Sequence, residues 1–287
     1  MLRAALYAAA ALCLPACAER AVLYEKTSQS GTLYVTQDAD GLRTLRFEKD
    51  GARQSVAKPG DPAHLEMPYQ RVALAGLALC AEPRRILVVG LGGGTLPGFL
   101  HVHYPQAVID AVEIDPQVVD VAKEFFGFRE DARMRAYVGD GREFIERARG
   151  SSYDVIVLDA FGAHGVPRRL ATLEFLQAVR RALAPGGVAI GNLWKRAENP
   201  LYDTMVRTYR EAFDEVYLLD VEGYVNQVLL ALPRTEPISR DQLAQRARSL
   251  AAEKRLRFDL GALVEAGYVQ QPQSSRRARA LRDADLE

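Results

Sequence analysis

Cysteine is scarce: the 287 residues hold three, Cys13, Cys17 and Cys80, in no zinc-ligand spacing and with no disulfide framework. Histidine is nearly as rare. His101 and His103 stand two apart, on different faces of a helix, so no metal site is expected, and His64 and His164 are isolated. An excess of one charge is missing too. Lys+Arg and Asp+Glu number 37 each, which argues against a nucleic-acid partner, whose phosphates demand surplus positive charge. No apolar run in the body of the chain reaches the roughly 20 residues of a membrane span. With 22 Gly and 14 Pro, collagen-like and low-complexity chains are excluded. Apolar residues, at 48%, are plentiful enough to build a core and to exclude general disorder.

The first residues, MLRAALYAAAALCLPA, place Arg3 before an apolar stretch too short to anchor stably across a bilayer. That is the layout of a signal peptide, expected over residues 1–20. Leu14-Pro15-Ala16-Cys17 also resembles a bacterial lipobox. Acylation of Cys17 would then tether the protein to a membrane of the bacterial cell envelope, or the chain would reside in the periplasm. An Ala-rich helix at the start of a cytoplasmic protein is the alternative.

Residues 21–62 carry short strand-forming runs, Val22–Tyr24, Thr32–Val35 and Leu42–Phe47, separated by Asp/Gly turns. They predict a small antiparallel β domain. Residues 65–81 have the spacing of an amphipathic helix. From Arg85 the pattern changes to apolar strands at 86–89, 108–112, 134–138, 155–158 and 188–190, alternating with helical stretches near 95–103, 116–126, 141–149 and 171–183. This predicts an α/β, doubly wound fold over residues 63–235, mostly parallel. Val216–Val221 and Gln227–Leu232 would add an antiparallel edge hairpin. Residues 236–287 form a helical segment with a charged tail, expected to be solvated from Ser274 on.

Chemistry concentrates at the strand ends. Val88-Val89-Gly90-Leu91-Gly92-Gly93-Gly94-Thr95 is a strand entering a glycine-rich turn and a helix, where backbone N–H groups can meet a ligand. A dinucleotide fingerprint would need glycine at position 95, which is Thr95. Glu113, about twenty residues on, ends the second strand, where such folds bind ribose hydroxyls. Asp140, in Val138-Gly139-Asp140-Gly141, ends the third and can reach an adenine amino group. Asp159 ends the fourth, after Tyr153-Asp154-Val155-Ile156-Val157-Leu158. All four features fall on one rim of the sheet and together predict a nucleoside site.

This order of motifs resembles the spermidine synthase (polyamine aminopropyltransferase) family, in its divergent spermidine-synthase-like branch. The resemblance runs over about residues 22–232. It implies a Rossmann-like methyltransferase fold, with decarboxylated S-adenosylmethionine or S-adenosylmethionine as co-substrate and no metal. It implies nucleoside contacts from Gln54, Gln70, Gly90, Gly92, Gly94, Glu113, Asp140 and Gly141, with Asp159 as base and Tyr69 orienting the acceptor. The partner implied is a small-molecule amine or another nucleophile, and the N-terminal strands would form a homodimer.

Two acids of that family are replaced here, by Gly93 in the glycine loop and by Gly162 three residues after Asp159. Ammonium groups need buried carboxylates, so the losses bear on which amine is used. Three readings follow: aminopropyl transfer to an amine in polyamine biosynthesis, methyl transfer from S-adenosylmethionine, and a nucleoside-binding lipoprotein without activity. His164 is a further acid–base candidate beside Asp159.

Overall fold

The computed structural model describes residues 20–162, 165–269 and 278–286. The expected signal segment, apart from Arg20, lies outside these residues, as do Cys17 and His164.

Four antiparallel strands open the fold: β1 (Ala21–Ser28), β2 (Gly31–Gln37), β3 (Arg43–Arg46) and β4 (Ser55–Ala57), in the order β1-β2-β3-β4. β4 is only three residues long, too short to carry a pattern. The predicted helix over 65–81 is shorter. Only α1 (Pro68–Ala73) is α-helical, and Leu74–Leu79 winds more tightly as a 3-10 helix. Burial explains the difference, because Leu74, Ala75, Leu77 and Leu79 are all buried. The segment comes so close to the sheet that a Cβ on Gly76 would stand 2.5 Å from the Ile190 side chain. It has no solvated face.

The larger sheet comprises β5 (Arg85–Val89), β6 (Val108–Glu113), β7 (Met134–Val138), β8 (Tyr153–Leu158), β9 (Leu183–Trp194), β10 (Glu215–Asp220) and β11 (Asn226–Leu232). Its order is β10-β11-β9-β8-β5-β6-β7. Strands β5 to β9 pair in parallel, and β10 and β11 form the expected antiparallel edge. The helices are α2 (Thr95–His103), α3 (Pro116–Phe125), α4 (Gly141–Arg147), α5 (Leu173–Ala182), α6 (Tyr202–Ala212), α7 (Arg240–Glu253) and α8 (Leu260–Gly267). Several start where their sequences dictate. Asp115 caps α3 by accepting from the Gln117 N–H at 2.9 Å, ahead of Pro116, and Ser239 and Gln242 form a reciprocal capping box on α7.

Helices cover both faces of the sheet. α7 and α8 bury Leu243, Ala247, Leu260 and Val264 in the same core as Ile86, Val88 and Ile190. α5 and α6 bury Phe175, Leu176 and Val206 on the opposite face, against Leu87 and Ile156. Truncating a fully buried leucine such as Leu87 to alanine would cost about 2–5 kcal/mol. α3 joins the two sheets: Val119 and Ala122 face the main core, while Val118 and Val121 pack on Leu33, Val35 and Leu45.

The tail docks on the body over residues 278–286, although Arg279, Arg282, Ala284 and Leu286 stay exposed. Ala280 and Leu281 are buried, the Leu173 N–H donates to the Leu281 carbonyl at 2.7 Å, and Asp283 pairs with Arg142 in both directions of its fork. Of the charges read as a solvated run, Arg282 and Asp283 therefore pair with the body, while Arg279 pairs with Asp285 inside the tail. Arg142, Glu174 and Glu211 supply the opposite signs.

Candidate active site

Strand order reverses at β5, whose neighbours β6 and β8 lead to opposite sides of the sheet. Chains that leave β5 and β8 diverge at that point and open a crevice beyond their carboxyl ends. The crevice is a cavity of about 380 Å³, roofed by the β3–β4 loop of the N-terminal sheet and floored by the strand ends.

The floor begins at Gly90. Its φ is +98°, and a Cβ there would stand 2.5 Å from the Asp159 carbonyl oxygen, so only glycine lets β5 and β8 run side by side to their ends. Gly92 also lines the cavity. Gly94 does not. It caps α2 in a left-handed conformation, and a Cβ on it would meet the Phe128 ring at 2.6 Å. The structure therefore gives Gly94 a helix-capping place outside the cavity lining.

Glu113 projects into the crevice from the end of β6. Its Oε2 accepts from the Leu91 N–H at 3.0 Å and its Oε1 from the Asp115 N–H at 3.1 Å. The carboxylate pins the glycine turn, and each oxygen keeps a lone pair for a further donor. Burial pushes its pKa up, and the backbone N–H groups oppose that shift. Asp140 caps α4 by accepting from the Arg142 N–H at 2.8 Å and the Glu143 N–H at 3.2 Å. Its second oxygen pairs with Arg169 at 2.5 Å. Arg169 reaches in from a short 3-10 turn (Arg168–Leu170) after β8, and both residues line the cavity. Gly141 lines it beside them, close against Val89.

Gln54 and Gln70 enter from above, from the β3–β4 loop and from α1. Gln70 is 4% exposed, and its Oε1 is buried with no partner. A buried acceptor left unpaired is costly, so this atom awaits a donor from the cavity.

Asp159 closes the far end. The Tyr69 hydroxyl donates to its Oδ2 at 2.9 Å, and the Asn192 amide donates to its Oδ1 at 2.9 Å. Burial pushes Asp159 up to about 6, with the two hydrogen bonds working against the shift. Tyr69 is raised well above its ordinary value by burial and by the carboxylate beside it, so its proton stays on oxygen. Asn192 and Asn226, together with Trp194 and Phe161, complete this end.

The structure thus gathers Gln54, Tyr69, Gln70, Gly90, Gly92, Glu113, Asp140, Gly141 and Asp159 around one cavity. Arg169, Asn192, Asn226 and Trp194 were not anticipated. A signal existed for Asn192, a polar side chain inside the otherwise apolar run Val188–Trp194. Arg169 lies in polar loop sequence and Asn226 is the first residue of β11, with nothing to single either out.

A spermine/spermidine synthase domain profile matches residues 66–222. The polyamine aminopropyltransferase of Vibrio vulnificus is 36% identical over 237 residues, covering 80% of this chain and 78% of that protein. Among solved structures, a probable spermidine synthase from Corynebacterium glutamicum superposes with a TM-score of 0.75 at 24% identity, over 91% of this chain and 96% of that one. Human methyltransferase-like protein 13, solved in complex with SAH, superposes at 0.61 with 35% identity, over 66% of this chain and 93% of that one.

Proposed function

The chain belongs to the spermine/spermidine synthase family, and on that premise we propose that it moves an aminopropyl group from decarboxylated S-adenosylmethionine to an amine. The contact that carries the reading is Tyr69 Oη to Asp159 Oδ2 at 2.9 Å, in a cavity that Glu113 and Gln70, with its unpaired Oε1, also line.

In this reading Glu113 accepts from the ribose hydroxyls, Gln70 and Gln54 meet the nucleoside from above, and the purine lies between Asp140 and the glycine turn. The sulfonium's propyl arm extends toward Asp159. An ammonium cannot attack carbon, so the acceptor must first lose a proton. Burial makes Asp159 a better proton acceptor than an ordinary carboxylate. Tyr69, donating to Asp159, keeps oxygen lone pairs that can hold an N–H of the amine. The amine lone pair forms the new C–N bond, the C–S bond breaks with its electrons returning to sulfur, and the proton ends on Asp159. Neutral methylthioadenosine and a lengthened amine leave. Alignment of donor and acceptor supplies most of the acceleration.

A second reading, methyl transfer from intact S-adenosylmethionine, is favoured by one observation. No acid stands at positions 93 and 162 to pair with the donor's and acceptor's ammonium groups, and position 93 has no room for one. Calorimetry with S-adenosylmethionine, its decarboxylated form and methylthioadenosine separates the two readings. Affinity for the decarboxylated donor with methylthioadenosine release on adding putrescine supports aminopropyl transfer. Preference for the carboxylated form without a lengthened amine supports methyl transfer, and binding of none eliminates both. The export reading and acylation of Cys17 are part of the same proposal, as is pairing of two copies through the N-terminal strands. Mass spectrometry of the native N terminus tests acylation, and light scattering tests dimerisation.

A further inference from the structure

We propose that Asn226 is a positioning residue for this reaction: its amide orients that of Asn192, so that an N–H and not a carbonyl faces the Asp159 carboxylate. The proposal rests on the reading of Asp159 as proton acceptor.

The three side chains form one chain of donors. Asn226 Nδ2 donates to Asn192 Oδ1 at 3.0 Å, and Asn192 Nδ2 donates to Asp159 Oδ1 at 2.9 Å. They sit on β11, β9 and just beyond β8, three strands adjacent in the sheet. Strand register enforces the spacing, because Leu158 pairs with Gly191 and Asn226 with Trp194.

Asn192 is 6% exposed, so water does not choose its orientation. An asparagine amide has nearly the same shape either way round, and only its polar partners distinguish oxygen from nitrogen. An ionised carboxylate offers acceptors alone. Asn192 can satisfy it with Nδ2 only if something else donates to Oδ1, and Asn226 is the donor the structure supplies. With that donor gone, the buried Asn192 oxygen has no partner. The amide would then turn or drift, and its carbonyl would face a negative charge.

The titratable and charged groups that share the cavity are Tyr69 on α1, Glu113 at the end of β6, Asp140 before α4, Arg53 on the β3–β4 loop and Arg169 after β8. Of these, Tyr69 alone hydrogen-bonds Asp159 among the described residues. The two asparagines are therefore the means by which β9 and β11 hold the carboxylate ionised.

The test is the titration of Asp159 in the whole protein, read by carbon-13 NMR of labelled aspartate carboxyls and assigned with Asp159→Asn. It needs no turnover, so failure of the transferase reading would leave it interpretable. In Asn226→Ala the midpoint rises by about half a unit or more, and in the near-isosteric Asn226→Asp it rises further, since an acceptor at 226 competes for the Asn192 N–H. If the protein is active, the acid limb of kcat/KM moves upward by the same amount, while methylthioadenosine affinity stays within about twofold. A midpoint unchanged in both variants overturns the proposal, even where kcat falls, because a merely structural role lowers activity without moving the titration. If Asn226→Ala does not fold, Asn226→Asp decides alone, and an unchanged or lowered midpoint there refutes it.

Discussion

Phe126 occupies the space that a side chain at Gly93 would need. A Cβ on Gly93 would lie 2.6 Å from Phe126 Cδ1 and 2.9 Å from Ser55 Oγ. Phe126 follows α3 and is buried against Leu33 and Val35 of the N-terminal sheet, so it cannot retreat freely. The missing acid of the glycine loop is thus more than a point substitution, because the neighbourhood has closed over its place. Gly93→Asp should destabilise the protein by about 1–3 kcal/mol through overpacking, seen as a lower Tm, without improving diamine affinity. Gly93→Asp combined with Phe126→Ala opens room for the carboxylate, and the KM for putrescine should then fall. A KM unchanged in the double variant would show that an acid at this place does not select the amine.

Asp159→Asn should abolish turnover and leave nucleoside affinity within a few-fold, measured by methylthioadenosine calorimetry. In the native enzyme, kcat/KM should decline as pH falls through about 6, where Asp159 takes up its proton. Stability should move the other way. Burial lifts this group from 3.8 to about 6, so the folded chain holds the proton more tightly than the unfolded chain. Its contribution therefore decreases as pH rises through that window and stays lost above it. Asp159→Asn should melt higher than the native protein at pH 7, with the difference shrinking below pH 4. An equal Tm at both pH values would contradict the burial cost.

Glu113→Gln keeps the shape of the side chain but replaces one acceptor oxygen with a donor that would face the Leu91 or Asp115 N–H. Nucleoside affinity should drop by about tenfold or more, the loss of a charge-assisted hydrogen bond to ribose together with a loosened glycine turn. Calorimetry with methylthioadenosine reads this directly. The effect should appear in the KM of the donor more than in kcat.

Arg142 joins the C-terminal segment, residues 278–286, to the cavity's edge. Its guanidinium binds Asp283 through both oxygens, at 2.7 and 2.5 Å, and donates to the Arg169 carbonyl at 3.2 Å. Asp283 is held below the usual carboxylate range by that partner. The stability it confers is present at neutral pH and lost as acid titrates it through its lowered value. Asp283→Asn should cost about 1–2 kcal/mol, discounted for its partial exposure, or a few degrees of Tm in a chain of this size. A Tm difference that persists unchanged below pH 3 would point to packing instead of the ion pair.

Much of this protein was written locally. Continuous apolar strands, alternating with helices whose caps are Asp115 and Asp140, determine a parallel sheet, because such strands must be covered on both faces. Once the strands are parallel, the residues that end them share a rim, so Glu113, Asp140 and Asp159 could be grouped without a structure. Tertiary contact decided what those acids meet. The Arg169–Asp140 pair, the Asn226–Asn192–Asp159 chain, Phe126 over Gly93 and Asp283 on Arg142 each join residues 29 or more positions apart. Periodicity reports only on a residue's own helix or strand, and no local pattern encodes which distant side chain will pack against it. The same limit hid the docking of the charged tail. A run of Arg and Asp has the composition of a solvated end until a folded surface of opposite charges and a gap for Leu281 gives it somewhere to bind.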